Sequence, residues 1–238
     1  MTDLLSLLAW GPDGWGDELA AGLQVTLLLA LATAPIGLVG GLLLALARRS
    51  YNWPLRIFGE AFATIFKGLP ELLTLFLVYH GVALLVQKLV AIFSDAYVEL
   101  NAFLAGMMAL GAVSASYASE VFMAALGGIP KGQYEAAHAL GLGRWATLRK
   151  VLLPQLLRLA FPGLGNLWLV LLKDTALVSV IALPDLLRRT TIAVGATKEP
   201  MFFFAVALIM FFVVSLISMA FIYRGERHYG RGFVGMTK

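Results

Sequence analysis

Charged side chains are scarce in this chain of 238 residues, so each one inside an apolar stretch needs a chemical reason to be there. Lys173 and Asp174 stand about halfway along the apolar run Phe161–Leu183. An ionised group at the centre of a membrane helix costs roughly 2.5–3.5 kcal/mol on insertion scales, so it requires a partner or a water-lined cavity. Neighbours on a helix point about 100° apart, so at least one of the pair must face the interior. One use is electrostatic: Asp174, with Glu71, would present negative potential to the amino or guanidinium group of a cationic solute. The other is structural, a buried ion pair such as Asp174 with Lys67. Glu120, Tyr117, Ser116 and Asn166 are the remaining polar candidates along such a path. For Glu120 a helix-packing or gate hydrogen bond fits better than a ligand role, and Tyr117 and Ser116 fit helix–helix contacts better than a path lining.

Catalytic chemistry finds little support in the same residues. There is no cysteine, which excludes disulfides, thiol nucleophiles and thiolate metal sites. His80, His138 and His228 share no metal-ligand spacing, and no Ser/His or paired-Asp arrangement suggests an intramembrane enzyme. No G-x-x-x-x-G-K-[ST] phosphate loop is present, so any ATP-driven step must occur on another polypeptide.

The elements that would position these residues are membrane spans. The chain is 60% hydrophobic and 13% charged, against a usual soluble fraction of about a quarter charged. Apolar runs long enough to cross a core of roughly 30 Å recur along it. The fold class is therefore an all-α polytopic membrane protein with five transmembrane helices in one domain, residues 1–238. The spans are expected at Leu19–Ala47, Glu71–Lys88, Ala102–Leu126, Phe161–Leu183 and Met201–Tyr223. In the first, Ala34, Gly37, Gly40 and Gly41 form a small-residue face for close helix approach, and Pro35 is expected to bend the helix. Ile57–Phe66 reads as a weakly polar helix, and Pro70 opens the second span at a position where proline costs nothing. Residues 1–18 lack a basic n-region and read as an interfacial segment rather than a cleaved signal peptide.

Charge sets the orientation. The first loop, the loop at 127–158 and the tail at 224–238 together hold 12 of the 18 basic residues, including Arg48, Arg49, Lys131, Arg144 and Arg227. The positive-inside rule makes that side cytoplasmic, with the N-terminus external and the C-terminus cytoplasmic. A net charge of +4 is then topology-setting, which argues against a nucleic-acid partner.

One stretch stands apart from the spans. Glu135–Pro154 is charged, opens after Gly127-Gly128-Ile129-Pro130 and closes on a proline. Gln133–Leu140 is rich in helix formers, and Gly141 and Gly143 should stop that helix. Arg144–Leu152 is expected to form a second short helix with Trp145, Leu148, Val151 and Leu152 on one stripe. Two short helices meeting at a glycine give a knob, with Ala136, Ala137 and Ala139 leaving its surface shallow enough for a partner's groove. The plainer alternative is an amphipathic loop lying on the headgroups.

The pattern Glu135-Ala136-Ala137, Gly141, Val151, Leu153-Pro154 resembles the EAA loop of permease subunits of bacterial ATP-binding-cassette importers. Lys67-Gly68-Leu69-Pro70-Glu71, Tyr117-Ala118-Ser119-Glu120, Leu172-Lys173-Asp174-Thr175 and Lys198-Glu199-Pro200 are similar to the polar amino-acid branch, with Lys67 where arginine is more usual. The Glu-Arg-His-Tyr ending and Asn166-Leu167-Trp168 resemble permeases for histidine, lysine, arginine, ornithine or opines. The likeness spans about Leu19 to Tyr229.

This resemblance implies a subunit of the bacterial inner membrane that forms half of a translocation pore working by alternating access. It implies a cytoplasmic ATPase dimer, a second permease chain (a related sister or an identical copy), a periplasmic or surface substrate-binding protein, and contact with membrane lipid. ATP and magnesium would be bound by the ATPase, and no cofactor by this chain. The loop residues Tyr134, Glu135, Ala136, Ala137, Leu140, Gly141, Leu142, Gly143 and Arg144 would dock on the ATPase. A stand-alone secondary transporter of amino acids or other small polar solutes is the alternative, but five spans are few for one and no inverted repeat is visible.

Overall fold

The computed structural model describes residues 4–92 and 101–230, with side chains to Arg227. Residues 93–100, between the expected second and third spans, and the tail from Arg231 to Lys238 lie outside the described residues. Five helical runs are long and apolar enough to cross a membrane. They are α1 (Gly16–Arg48), α3 (Glu71–Val90), α4 (Ala102–Gly127), the composite run Arg144–Ile181, and α9 (Pro200–Gly230). A 3₁₀ turn at Leu4–Leu8 precedes them, and α2 (Trp53–Gly68), α5 (Lys131–Ala139) and α8 (Leu186–Thr197) lie between them.

The composite run departs from expectation. It starts at Arg144, well before Phe161, as α6 (Arg144–Thr147), a π turn (Leu148–Leu152), α7 (Leu153–Asp174) and a 3₁₀ turn (Thr175–Ile181). The expected second short helix is therefore the root of the fourth span. Pro154 does not stop it, because it sits in the first turn of α7, where no intrahelical N–H is required. The π turn joins the pieces through the Leu153 N–H, which donates to the Leu148 carbonyl. Lys173 and Asp174 consequently close the regular helix instead of standing mid-span. α1 likewise runs as one helix through Pro35.

The α1–α4 seam is the centre of the bundle. A Cβ built on Gly37 would lie 2.7 Å from Ser114 Cβ, and one on Gly41 would lie 2.5 Å from Ala118 Cβ and 3.0 Å from the Ala115 carbonyl oxygen. The glycine face lets the two backbones touch, as the sequence implied. α4 is capped by Asn101, whose side chain accepts from the Phe103 and Leu104 amides.

Three apolar clusters stack along the bundle. Leu29, Leu75, Ala109, Leu171 and Val178 join α1, α3, α4 and α7 with its following turn. Ala45, Phe122, Leu126, Leu152 and Leu156 close the end that carries the α4–α5 turn. Leu19, Leu186, Ala193, Phe203 and Ala207 seat α8 under α1 and α9 at the opposite end.

Candidate functional site

The Glu135 loop is held firmly from one side and left open on the other. Tyr134, Leu148 and Val151 pack against the cluster around Phe122 and Leu152. The Gln155 side-chain amide donates to Gln133 Oε1 at 3.1 Å, tying α5 to the start of α7. α5 ends with the Gly141 N–H bonded to the His138 carbonyl and the Leu142 N–H to the Ala137 carbonyl. Gly141 has φ +69°, the left-handed conformation in which a Cβ is costly, so glycine is the fitting residue at this stop.

Not all nine loop residues face outward. Glu135, Ala136, Leu140, Gly141, Gly143 and Arg144 are exposed, Tyr134 and Leu142 are half-buried, and Ala137 is buried at 2% exposure. Ala137 therefore supports the loop from beneath and is not part of a shallow outer face. Trp145, placed by its spacing on one stripe with Leu148, Val151 and Leu152, is exposed while those three are not. It is 72% exposed, and Leu140 at the other end of the turn is 79% exposed. Two large apolar side chains thus crown a polar turn, the kind of anchor that partner grooves take up. The sequence signal for this was available: the stripe Leu148, Val151, Leu152 and Leu156 is complete without Trp145.

The intramembrane charges separate into two groups. Glu120 on α4 accepts from Arg48 Nη1 at 3.0 Å and is also ion-paired with Lys67 Nζ. Arg48 further donates to Ser119 Oγ at 3.0 Å and lies 3.2 Å from Glu60 Oε1 through Nε. Two cations and two carboxylates from α1, α2 and α4 therefore form one network. Glu120 is hydrogen-bonded across the helices, and Lys67, offered above as one possible partner of Asp174, pairs with Glu120 instead.

Asp174 and Glu71 form the second group. Both are half-buried, and Glu71 and Lys173 are the charges near enough to act on Asp174. Among the described residues neither carboxylate has an ion-pair partner. Lys173 is exposed and Tyr117 half-buried. Asn166 stands elsewhere, lining a groove between α7 and α9 with Pro162, Tyr223 and Glu226. An apolar cavity of about 300 Å³ between α1, α4, α7 and α9, lined by Ala34, Leu164, Trp168 and Ile222, holds no charged group and suits no polar solute.

At the opposite end, Asp185 caps α8 by accepting from the Arg188 amide at 2.9 Å. Burial pushes its carboxyl up to about 6 from 3.8, against the pull of the Arg188 and Leu187 amides. The Leu186 amide donates to Thr26 Oγ1 at 3.1 Å, and Arg189 is ion-paired with Glu18, so α8 is fastened to α1.

Residues 37–229 match the family described as binding-protein-dependent transport system inner membrane component. The chain belongs to this family. It is therefore a multi-pass component of the inner membrane and a permease subunit of an ABC importer, and the stand-alone carrier is not favoured. The permease is 40% identical over 230 residues to the nopaline transport system permease protein NocQ of Agrobacterium fabrum, covering 96% of this chain and 98% of that one. It is 31% identical over 219 residues to the histidine/lysine/arginine/ornithine transport system permease protein HisQ of Escherichia coli, covering 92% and 96%. A solved amino acid ABC transporter with histidines superposes with a TM-score of 0.81 at 29% identity, covering 96% of this chain and 99% of that one.

Proposed function

We propose that this permease forms half of the pathway of an ATP-driven importer for a cationic amino acid or opine, and that residues 127–158 dock on a separate cytoplasmic ATPase. The observation that carries the docking role is the turn at Leu140–Trp145, exposed and crowned by apolar side chains yet anchored to the bundle through Tyr134, Ala137 and Leu148. Such a part can receive a push and pass it to α4 and α7, the helices it joins. The ATPase, a dimer, supplies the ATP and magnesium sites, and this chain hydrolyses nothing. Residues 1–18 lie outside with the N-terminus, where a substrate-binding protein delivers cargo, and 224–238 lie in the cytoplasm.

The cationic cargo is supported by Asp174 and Glu71, two carboxylates in the spans with no ion pair among the described residues, and by the similarity to the nopaline and histidine/lysine/arginine/ornithine permeases. Tyr117 and Lys173 belong to the same proposed path, and Asn166, which lines the groove with Pro162 and Tyr223, is left out of it.

Copurification tests the docking role. Exposed Glu135 should be replaceable without disturbing the fold, so Glu135→Lys is expected to insert normally while the recovered ATPase falls by about tenfold, a change of roughly 1.4 kcal/mol. Full ATPase recovery with full transport would overturn the assignment.

A further inference from the structure

The network around Glu120 is more than a means of neutralising buried charge. Arg48 is its fixed half: its side chain is 9% exposed and reaches Glu60, Ser119 and Glu120 from the last turn of α1. Lys67 is the loose half. Its side chain is 28% exposed, Glu120 is its sole ion-pair partner among the described residues, and it sits in the last turn of α2. Immediately beyond it the helix breaks at Leu69-Pro70, and α3 begins with Glu71. Glu120 lies two helical turns before Gly127, where α4 gives way to the Glu135 loop.

Opening the contact would leave the Glu120 carboxylate paired with Arg48, and the Lys67 ammonium, 28% exposed at the end of its helix, would turn to solvent, so no buried ion is stranded. That condition distinguishes a releasable contact from a structural one, because an ion left alone in a low-dielectric interior is strongly unfavourable. We infer that Lys67–Glu120 is a releasable latch between α4 and the α2–α3 break, positioning Glu71 according to the state of the cytoplasmic loop. Each end of the latch leads to one of the two sites: the loop follows Glu120 on one helix, and Glu71 follows Lys67 across the break. The inference rests on the importer reading above. It deepens that reading by naming a positioning pair between loop and cargo path.

Coupling, not activity alone, is the readout. In the complete assembly, Lys67→Met is expected to keep ATP hydrolysis within about twofold while uptake falls by about tenfold or more, so ATP consumed per solute imported rises. Lys67→Arg should restore the ratio. Uptake and hydrolysis falling in parallel, or neither changing, would overturn the latch.

A second measurement leaves the pair intact. The chain has no cysteine, so labels at exposed Thr64 on α2 and Ala124 on α4 would be specific. The distance between Thr64→Cys and Ala124→Cys labels should shift between the nucleotide-free and nucleotide-trapped assembly. One unchanged distance in both states would refute release. Failure of the native assembly to import any solute with ATP would instead refute the importer reading.

Discussion

Glu120 and Asp174 are both carboxylates in membrane-spanning helices, yet their surroundings differ. Glu120 is satisfied by Arg48 and Lys67, which removes the cost of its charge and any need for a ligand. Among the described residues, the charges acting on Asp174 are Lys173 and Glu71, a second carboxylate. Two acids in range of each other repel, and a cation entering between them relieves that repulsion. Asp174→Asn and Glu71→Gln are therefore each expected to raise the KM for a cationic amino acid by about tenfold, the worth of one charge-assisted contact. Unchanged uptake and unchanged substrate-stimulated ATP hydrolysis in both variants would remove these residues from the cargo role. The charged residues were visible in sequence, but their partners were not. Lys67 and Glu120 are 53 positions apart and Arg48 and Glu120 are 72, and no local spacing encodes such a meeting.

Among the elements, helices with a strong local signature matched expectation best. Gly37, Gly40 and Gly41 announce a close helix contact because only a residue without a Cβ permits it, and α4 fills the space. Gly141 announces a helix stop for its positive φ. The composite run was not legible, because a proline ordinarily marks a helix boundary, while the π turn and the first-turn position of Pro154 let this helix continue. The seam gives a direct test. Gly41→Leu would drive a side chain into Ala118 and the Ala115 backbone, and overpacking of this kind costs about 1–3 kcal/mol. Gly127→Ala, at a helical position with nothing within 4 Å, should be neutral or stabilising by about 0.4–1 kcal/mol. Thermal unfolding in detergent should therefore separate the two variants. Equal melting temperatures would mean that α1 and α4 do not touch as described.

At the scale of the molecule, burial is uneven in a way that implies a neighbour. In the most apolar window of α4, 56% of positions are buried, against 11% in α3 and 6% in α9. α9 exposes Phe204, Leu208, Phe212 and Leu216, a face that lipid satisfies fully. α3 exposes His80 and Lys88 among its leucines and half-exposes Glu71 and Gln87. Polar groups along a span are costly against lipid and tolerable against protein or a wet path, so, if the pore is completed by a second permease chain, α3 is the face expected to meet it. In the cysteine-free chain, His80→Cys should cross-link to that partner chain within the assembled complex, whereas Phe212→Cys should not. The mass of the product identifies the partner, with a sister sequence expected from the likeness to the basic amino-acid permeases. A product through α9 and none through α3 would reverse the faces. A product of twice this chain's mass would make the pore from two identical halves.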